Sequence, residues 1–162
     1  MNPDTRPETT LESSVLVHRP AGVVAAFVLD WGHDHRWRSH VQRFTCTPPG
    51  QAAVGQRLVE ELRFAGLVFV TPTVVETADE LSASYAGGSS AIQVSGRRVV
   101  VRLGAERCEV RVTTRLRVGG LLRPFTPLLA PSYRRADAAD LRGLPGVLDT
   151  ILGTAPAGRS ER

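Results

Sequence analysis

The sequence predicts an α+β fold, seven antiparallel strands and one long C-terminal helix, on three observations. Residues 107–118 alternate along their whole length. Cys108, Val110, Val112, Thr114, Leu116 and Val118 fall on one side, and Arg107, Glu109, Arg111, Thr113, Arg115 and Arg117 on the other. A sheet with one buried and one wet face gives that pattern, and antiparallel pairing is its usual source. Further on the spacing changes to three and four, through Phe125, Leu129, Tyr133, Ala136, Asp140, Leu144, Leu148 and Ile151, the period of an amphipathic helix. Near the N-terminus an apolar strand around Val15 meets Pro20, and Val24, Phe27 and Val28 then share one helical face up to Asp30. Proline suits the first turn of a helix, where its missing N–H would have no partner.

The remaining elements follow in order. Residues 39–118 read as a β-meander. Ser39–Thr47 is the second strand, and Pro48-Pro49-Gly50 turns the chain. Gln56–Phe64, Leu67–Thr77 and Leu81–Tyr85 are strands separated by Gly66 and Asp79-Glu80. Gly87-Gly88-Ser89-Ser90 is a turn, and Ala91–Leu103 with Arg107–Val118 forms a long hairpin around Gly104-Ala105-Glu106. In the last helix Pro131 fits a first-turn position, whereas Pro124 and Pro127 predict an irregular approach. Gly143-Leu144-Pro145-Gly146 predicts a break or kink. Residues 12–152 are expected to form a single domain, with 1–11 and 153–162 as disordered tails.

Composition narrows the chemistry. At 162 residues the chain can bury a core, and 42% hydrophobic with 22% charged residues is the balance of a soluble globular protein. All 20 basic residues are Arg. Without lysine there is no Schiff-base amine and no Walker lysine, so aldolase-type, pyridoxal-dependent and P-loop mechanisms are excluded. The arginines fit a GC-rich, bacterial genome. Cys46 and Cys108 form no CxxC pair and are expected to stay unpaired. With no apolar leader and no apolar run of membrane-spanning length, a cytoplasmic protein without integral membrane association is expected.

Together the motifs resemble the START-like, or SRPBCC, family, which includes polyketide cyclases and dehydratases and shares the Bet v 1-type helix-grip fold. The resemblance rests on Pro20, Val24, Asp30 and Trp37, then on Val54-Gly55-Gln56-Arg57 opening the third strand. Val74-Val75-Glu76 with Leu81 resembles the passage from the fourth strand to the fifth. Leu122-Arg123-Pro124, Pro127 and Arg134-Arg135 resemble the approach to the last helix. The likeness spans about residues 13–149. Three departures stand out: Ala25 where an aromatic is common, Cys108 where Thr is common, and Gly143 with Pro145 in a helix that is normally continuous. The resemblance implies a strongly curved sheet closed by the long helix, two short helices after the first strand, and an enclosed apolar cavity.

That cavity sets the candidate site. On alternation, Glu60 points inward with Leu62 and Phe64, and Gln93, Ser95 and Arg97 do so with Val101. Val112 and Thr114 belong to the inner face of the last strand. Tyr85, Leu129 and Tyr133 reach inward from the fifth strand and the helix, and Trp37 packs near the sheet or the mouth. A few polar groups in an apolar wall suit a hydrophobic or amphipathic small molecule, by resemblance polyketide-like or lipid-like. Tyr, Glu and Arg can also serve acid–base work on a carbonyl chain, as in a cyclase or dehydratase. A non-catalytic carrier is the alternative, as is an interaction module using the outer face of Arg98, Arg102, Arg107, Arg111, Arg115 and Arg117. No aromatic residues interleave with those arginines, so no nucleic acid is expected. His33-Asp34-His35 lacks a second cluster, so no metal and no cofactor are expected. A monomer or a homodimer fits equally.

Overall fold

The computed structural model describes residues 8–153, and at Phe125, Leu128 and Leu129 the backbone alone. Strand β1 (Glu8–Val17) leads to helix α1 (Ala21–Val28) and a 3₁₀ turn (Trp31–Arg36). Strands β2 (Val41–Thr47), β3 (Arg57–Phe64), β4 (Leu67–Ala78), β5 (Ser82–Gly88), β6 (Ile92–Gly104) and β7 (Arg107–Val118) follow. A second 3₁₀ turn (Gly120–Phe125) enters helix α2 (Thr126–Leu152). The strands form one sheet, β1-β7-β6-β5-β4-β3-β2, and every pairing is antiparallel. This is the helix-grip arrangement expected from the sequence. Two short helices connect β1 to the far edge strand β2, and α2 packs against β1 and closes the concave face.

The first connection is built locally. Pro20 stands one residue before α1, and its carbonyl accepts from Val23 and Val24. The 3₁₀ turn is capped by Asp30, whose Oδ1 accepts from the Gly32 N–H at 3.0 Å. These turns bury Val24, Phe27, Val28 and Trp31 with Val17, Val75, Val100 and Val110 of the sheet and with Leu141, Leu144 and Leu148 of α2.

Several expectations need correction. Strand β1 starts at Glu8, so residues 8–11, read as leader, are strand. Leu11 is buried there, and Glu8 pairs in register with Arg117. The rest of the leader and residues 154–162 lie outside the described residues. Helix α2 is not broken at Gly143–Gly146 and runs through Pro131 and Pro145 to Leu152. An internal proline costs about 3 kcal/mol. Burying three leucines at about 1.5–3 kcal/mol each offsets it. Arg19 fastens the far end of α2 by donating to Asp149 Oδ1 at 2.7 Å and to the Gly153 carbonyl.

The facing of β6 is the opposite of the predicted one. Val100 pairs with Val110 and Arg98 with Val112, so Arg98 and Val100 point inward and Gln93, Ser95, Arg97 and Val101 point outward. The run Val99-Val100-Val101 is apolar at every position, so alternation cannot phase it, and a one-residue slip moves the whole strand to the other face. Arg98 therefore leaves the expected outer arginine face. Of the others, Arg111 pairs with Glu109 at 2.6 Å and Arg117 with Glu8 at 2.9 Å, which neutralises much of that surface. Cys46 on β2 and Cys108 on β7 are free thiols on well-separated strands.

Candidate functional site

A cavity of about 110 Å³ lies between α2 and the concave sheet. Its walls are mainly apolar, from Phe69 on β4, Ile92 and Val94 on β6, Leu116 and Val118 on β7, and Leu122. Six residues expected from the sequence line it: Glu60, Leu62, Phe64, Tyr85, Thr114 and Tyr133. Gln93, Ser95 and Val101 do not, because β6 is phased the other way. Trp37 and Val112 border a small separate recess beside Arg98. The side chain of Leu129 lies outside the described residues.

The polar end of the cavity is organised by a buried ionic network. Asp34 is fully buried, and Arg98 donates to both its oxygens, Nη1 at 2.7 Å to Oδ1 and Nη2 to Oδ2. Arg98 also donates to the Val28 carbonyl at 2.8 Å. Its guanidinium lies 5.1 Å from the ring centroids of both Trp31 and Trp37, so two aromatic faces replace water around the charge. Arg38 continues the network, donating to Asp34 Oδ2 at 3.0 Å, to Glu60 Oε1, and to the Tyr133 hydroxyl at 3.0 Å. Two guanidiniums thus face two carboxylates, the balance a buried ion cluster requires.

The titration directions follow from this geometry. Burial opposes the charge of Arg38, but Glu60, Tyr133 and Asp34 outweigh it and hold the guanidinium protonated. Burial pushes the Tyr133 phenol well up, against Arg38 and with help from Glu60. Burial also raises the Tyr85 phenol, again reinforced by Glu60. Both phenols therefore keep their protons at neutral pH. Since Arg38 donates to the Tyr133 oxygen, the Tyr133 proton is left for another acceptor. The cavity end so combines two phenol donors, a carboxylate and a fixed cation. Such a set can hold a carbonyl oxygen while a carboxylate takes a neighbouring proton.

One backbone feature and two ring contacts place these groups. Gly96 lies opposite Tyr85 in the β5–β6 register, and a Cβ there would meet Tyr85 Cζ and its hydroxyl oxygen at 2.5 Å. The missing side chain is the slot that Tyr85 occupies. Tyr85 also sets its ring edge-on to Trp31 at 5.6 Å. Tyr133 is held by an edge-on contact with Phe64 at 5.8 Å.

Sequence reasoning missed Arg38, Asp34 and Arg98 as site residues. Asp34 was visible only as part of His33-Asp34-His35, whose side chains diverge: His33 stacks on Phe27 at 4.8 Å, His35 is exposed and Asp34 is buried. No local pattern marks Arg38 or Arg98. Leu116 and Val118 were within reach, since they share a strand face with Thr114.

A family model described as polyketide cyclase / dehydrase and lipid transport matches residues 8–148. No curated protein sequence matches the chain. Among solved structures, an aromatase/cyclase, Zhui, from Streptomyces superposes with a TM-score of 0.72 at 14% identity, over 92% of this chain and 100% of that one. A START superfamily protein from Mycobacterium smegmatis gives 0.67 at 17% identity, over 86% and 98%. A truncated norcoclaurine synthase from Thalictrum flavum gives 0.62 at 13% identity, over 89% and 97%. At such identities the likeness shows the fold, and function has to be argued from the site.

Proposed function

The chain belongs to the polyketide cyclase / dehydrase and lipid transport family, and from that premise we propose that its cavity binds a hydrophobic or amphipathic small molecule carrying a carbonyl or similar acceptor. The observation that carries this reading is the division of the cavity: apolar walls over most of its length, and Glu60, Tyr85 and Tyr133 gathered at one end beside Arg38. Apolar walls supply affinity, and a few convergent polar groups fix orientation.

In the catalytic form of this reading, Tyr133 and Tyr85 donate to a ligand carbonyl and Glu60 removes the adjacent proton, giving an enolate ready for ring closure or loss of water. In the carrier form the same groups only orient the ligand. The ion pair between Glu60 and Arg38 favours the carrier form, because it holds the one carboxylate that would act as base. Native mass spectrometry of protein purified from its own host tests the shared claim, with a co-purified apolar molecule as the expected result. Failure to retain any ligand, together with no binding of an apolar fluorescent probe, would sink it. The Glu60→Gln variant separates the two forms: a carrier keeps its affinity, whereas an enzyme keeps the ligand and loses turnover.

A further inference from the structure

The loops around one end of the cavity combine features that the binding site itself does not use. The β3–β4 hairpin contributes Phe64 and Phe69 to the cavity, and between them Leu67 and Val68 are 50% and 52% exposed. The second 3₁₀ turn contributes Leu122, and its neighbour Leu121 is 93% exposed, the most exposed large apolar side chain among the described residues. Both loops border the same cavity, as do Ile92 and Val118, and the Gly119 N–H donates to the Ala91 carbonyl of the β5–β6 turn. No carboxylate occurs in residues 62–69, 87–92 or 118–126, whereas Arg63 and Arg123 are exposed there. The nearest carboxylate on β1, Glu8, is engaged by Arg117 at 2.9 Å. The turns at the opposite end of the sheet are mixed in charge, with Asp79, Glu80 and Glu106 beside Arg102 and Arg107.

We propose that this rim docks on an anionic lipid surface, with Leu121, Leu67 and Val68 entering the headgroup boundary and Arg63 and Arg123 pairing with lipid phosphates. The proposal rests on the reading that the cavity takes an apolar ligand, and it adds the place where that ligand enters and leaves. Charge complementarity chooses the occupant's sign. The protruding leucine chooses lipid over an acidic protein, because an aliphatic side chain gains by leaving water for the acyl boundary. The basic mouth turns the opening toward such a surface before contact. No helix among the described residues is long and apolar enough to cross a membrane, so the attachment is peripheral.

Co-sedimentation of the full chain with vesicles tests this. Binding is expected to vesicles of phosphatidylcholine mixed with phosphatidylglycerol, and not to phosphatidylcholine alone. Arg123→Glu should weaken binding by about fivefold or more, from the contribution of each basic residue near an anionic surface. Leu121→Asp should weaken it about tenfold or more. Both side chains are exposed, so both variants should fold. Equal binding to neutral and anionic vesicles, or none to either, overturns the proposal. So does a Leu121→Asp variant that binds as well as the parent, an outcome pointing to a purely ionic surface fit for an acidic protein. Probe binding to the cavity, measured on the same variants without vesicles, separates failure of the docking from failure of the ligand reading.

Discussion

At the scale of single residues the two tyrosines report on the cavity end. They are the only tyrosines in the chain, and burial raises both phenols. Ultraviolet titration of the native protein should show less tyrosinate at pH 10 than two free phenols, each half ionised there, would give. The remaining absorbance should appear when the protein unfolds. The sign for stability follows: the folded pKa values lie above the unfolded ones, so their contribution is full below pH 10 and is lost as pH climbs beyond it. A normal titration near pH 10 would place both rings in water and remove the two donors from the site. Asp34 is the second reporter. Asp34→Asn leaves Arg98 buried without its partner, and removing one member of a buried pair costs about 3–5 kcal/mol. Urea unfolding measures this. A loss below about 1 kcal/mol would mean that the pair is solvated like a surface bridge.

Individual elements are held by a few decisive contacts. Strand β6 owes its phase to β7, through Val100 opposite Val110, and its shape to Gly96. Gly96→Ala puts a methyl where Tyr85 lies, so the ring must swing into the cavity. Overpacking of this kind costs about 1–3 kcal/mol. The expected signature is a modest fall in Tm, a change in fluorescence as Tyr85 leaves the edge of Trp31, and weaker binding of an apolar probe. Unchanged stability and unchanged probe affinity together would show that the slot is looser than 2.5 Å implies. Helix α2 shows the complementary case. Proline inside it predicts a break, yet Leu141, Leu144 and Leu148 bury enough surface against the sheet and α1 to keep it whole.

Over the whole molecule, the cavity exists because α2 spans a concave sheet without filling it. Val94→Phe should occupy part of the 110 Å³. If the space binds ligand, this variant should fold, unfold no earlier than the parent on heating, and lose probe affinity by about tenfold or more, a change of about 1.4 kcal/mol. A Tm well below the parent's would mean that the wall is already close-packed there. How far the sequence determined this protein can be read from particular elements. Strand β7 was legible to the residue, because one wet face and one buried face write a period of two into the chain. The first helix after Pro20 and the amphipathic period of the long helix were legible for related reasons, since proline and spacing act locally; the helix-grip class and the second short helix came from the family resemblance of the ordered motifs. With them came Glu60, Leu62, Phe64, Thr114, Tyr85 and Tyr133 as cavity residues. The extent of strand β6 was legible but its facing was not, because valines at three successive positions carry no phase and only hydrogen bonding to β7 selects one. Nor was the ionic network: Asp34, Arg38, Glu60 and Arg98 come from three separate parts of the chain, and an arginine that will be buried is written like one that will be solvated. Periodicity fixes which way a segment faces; only the closed sheet decides which charges meet, because their pairing depends on distances that no single segment contains.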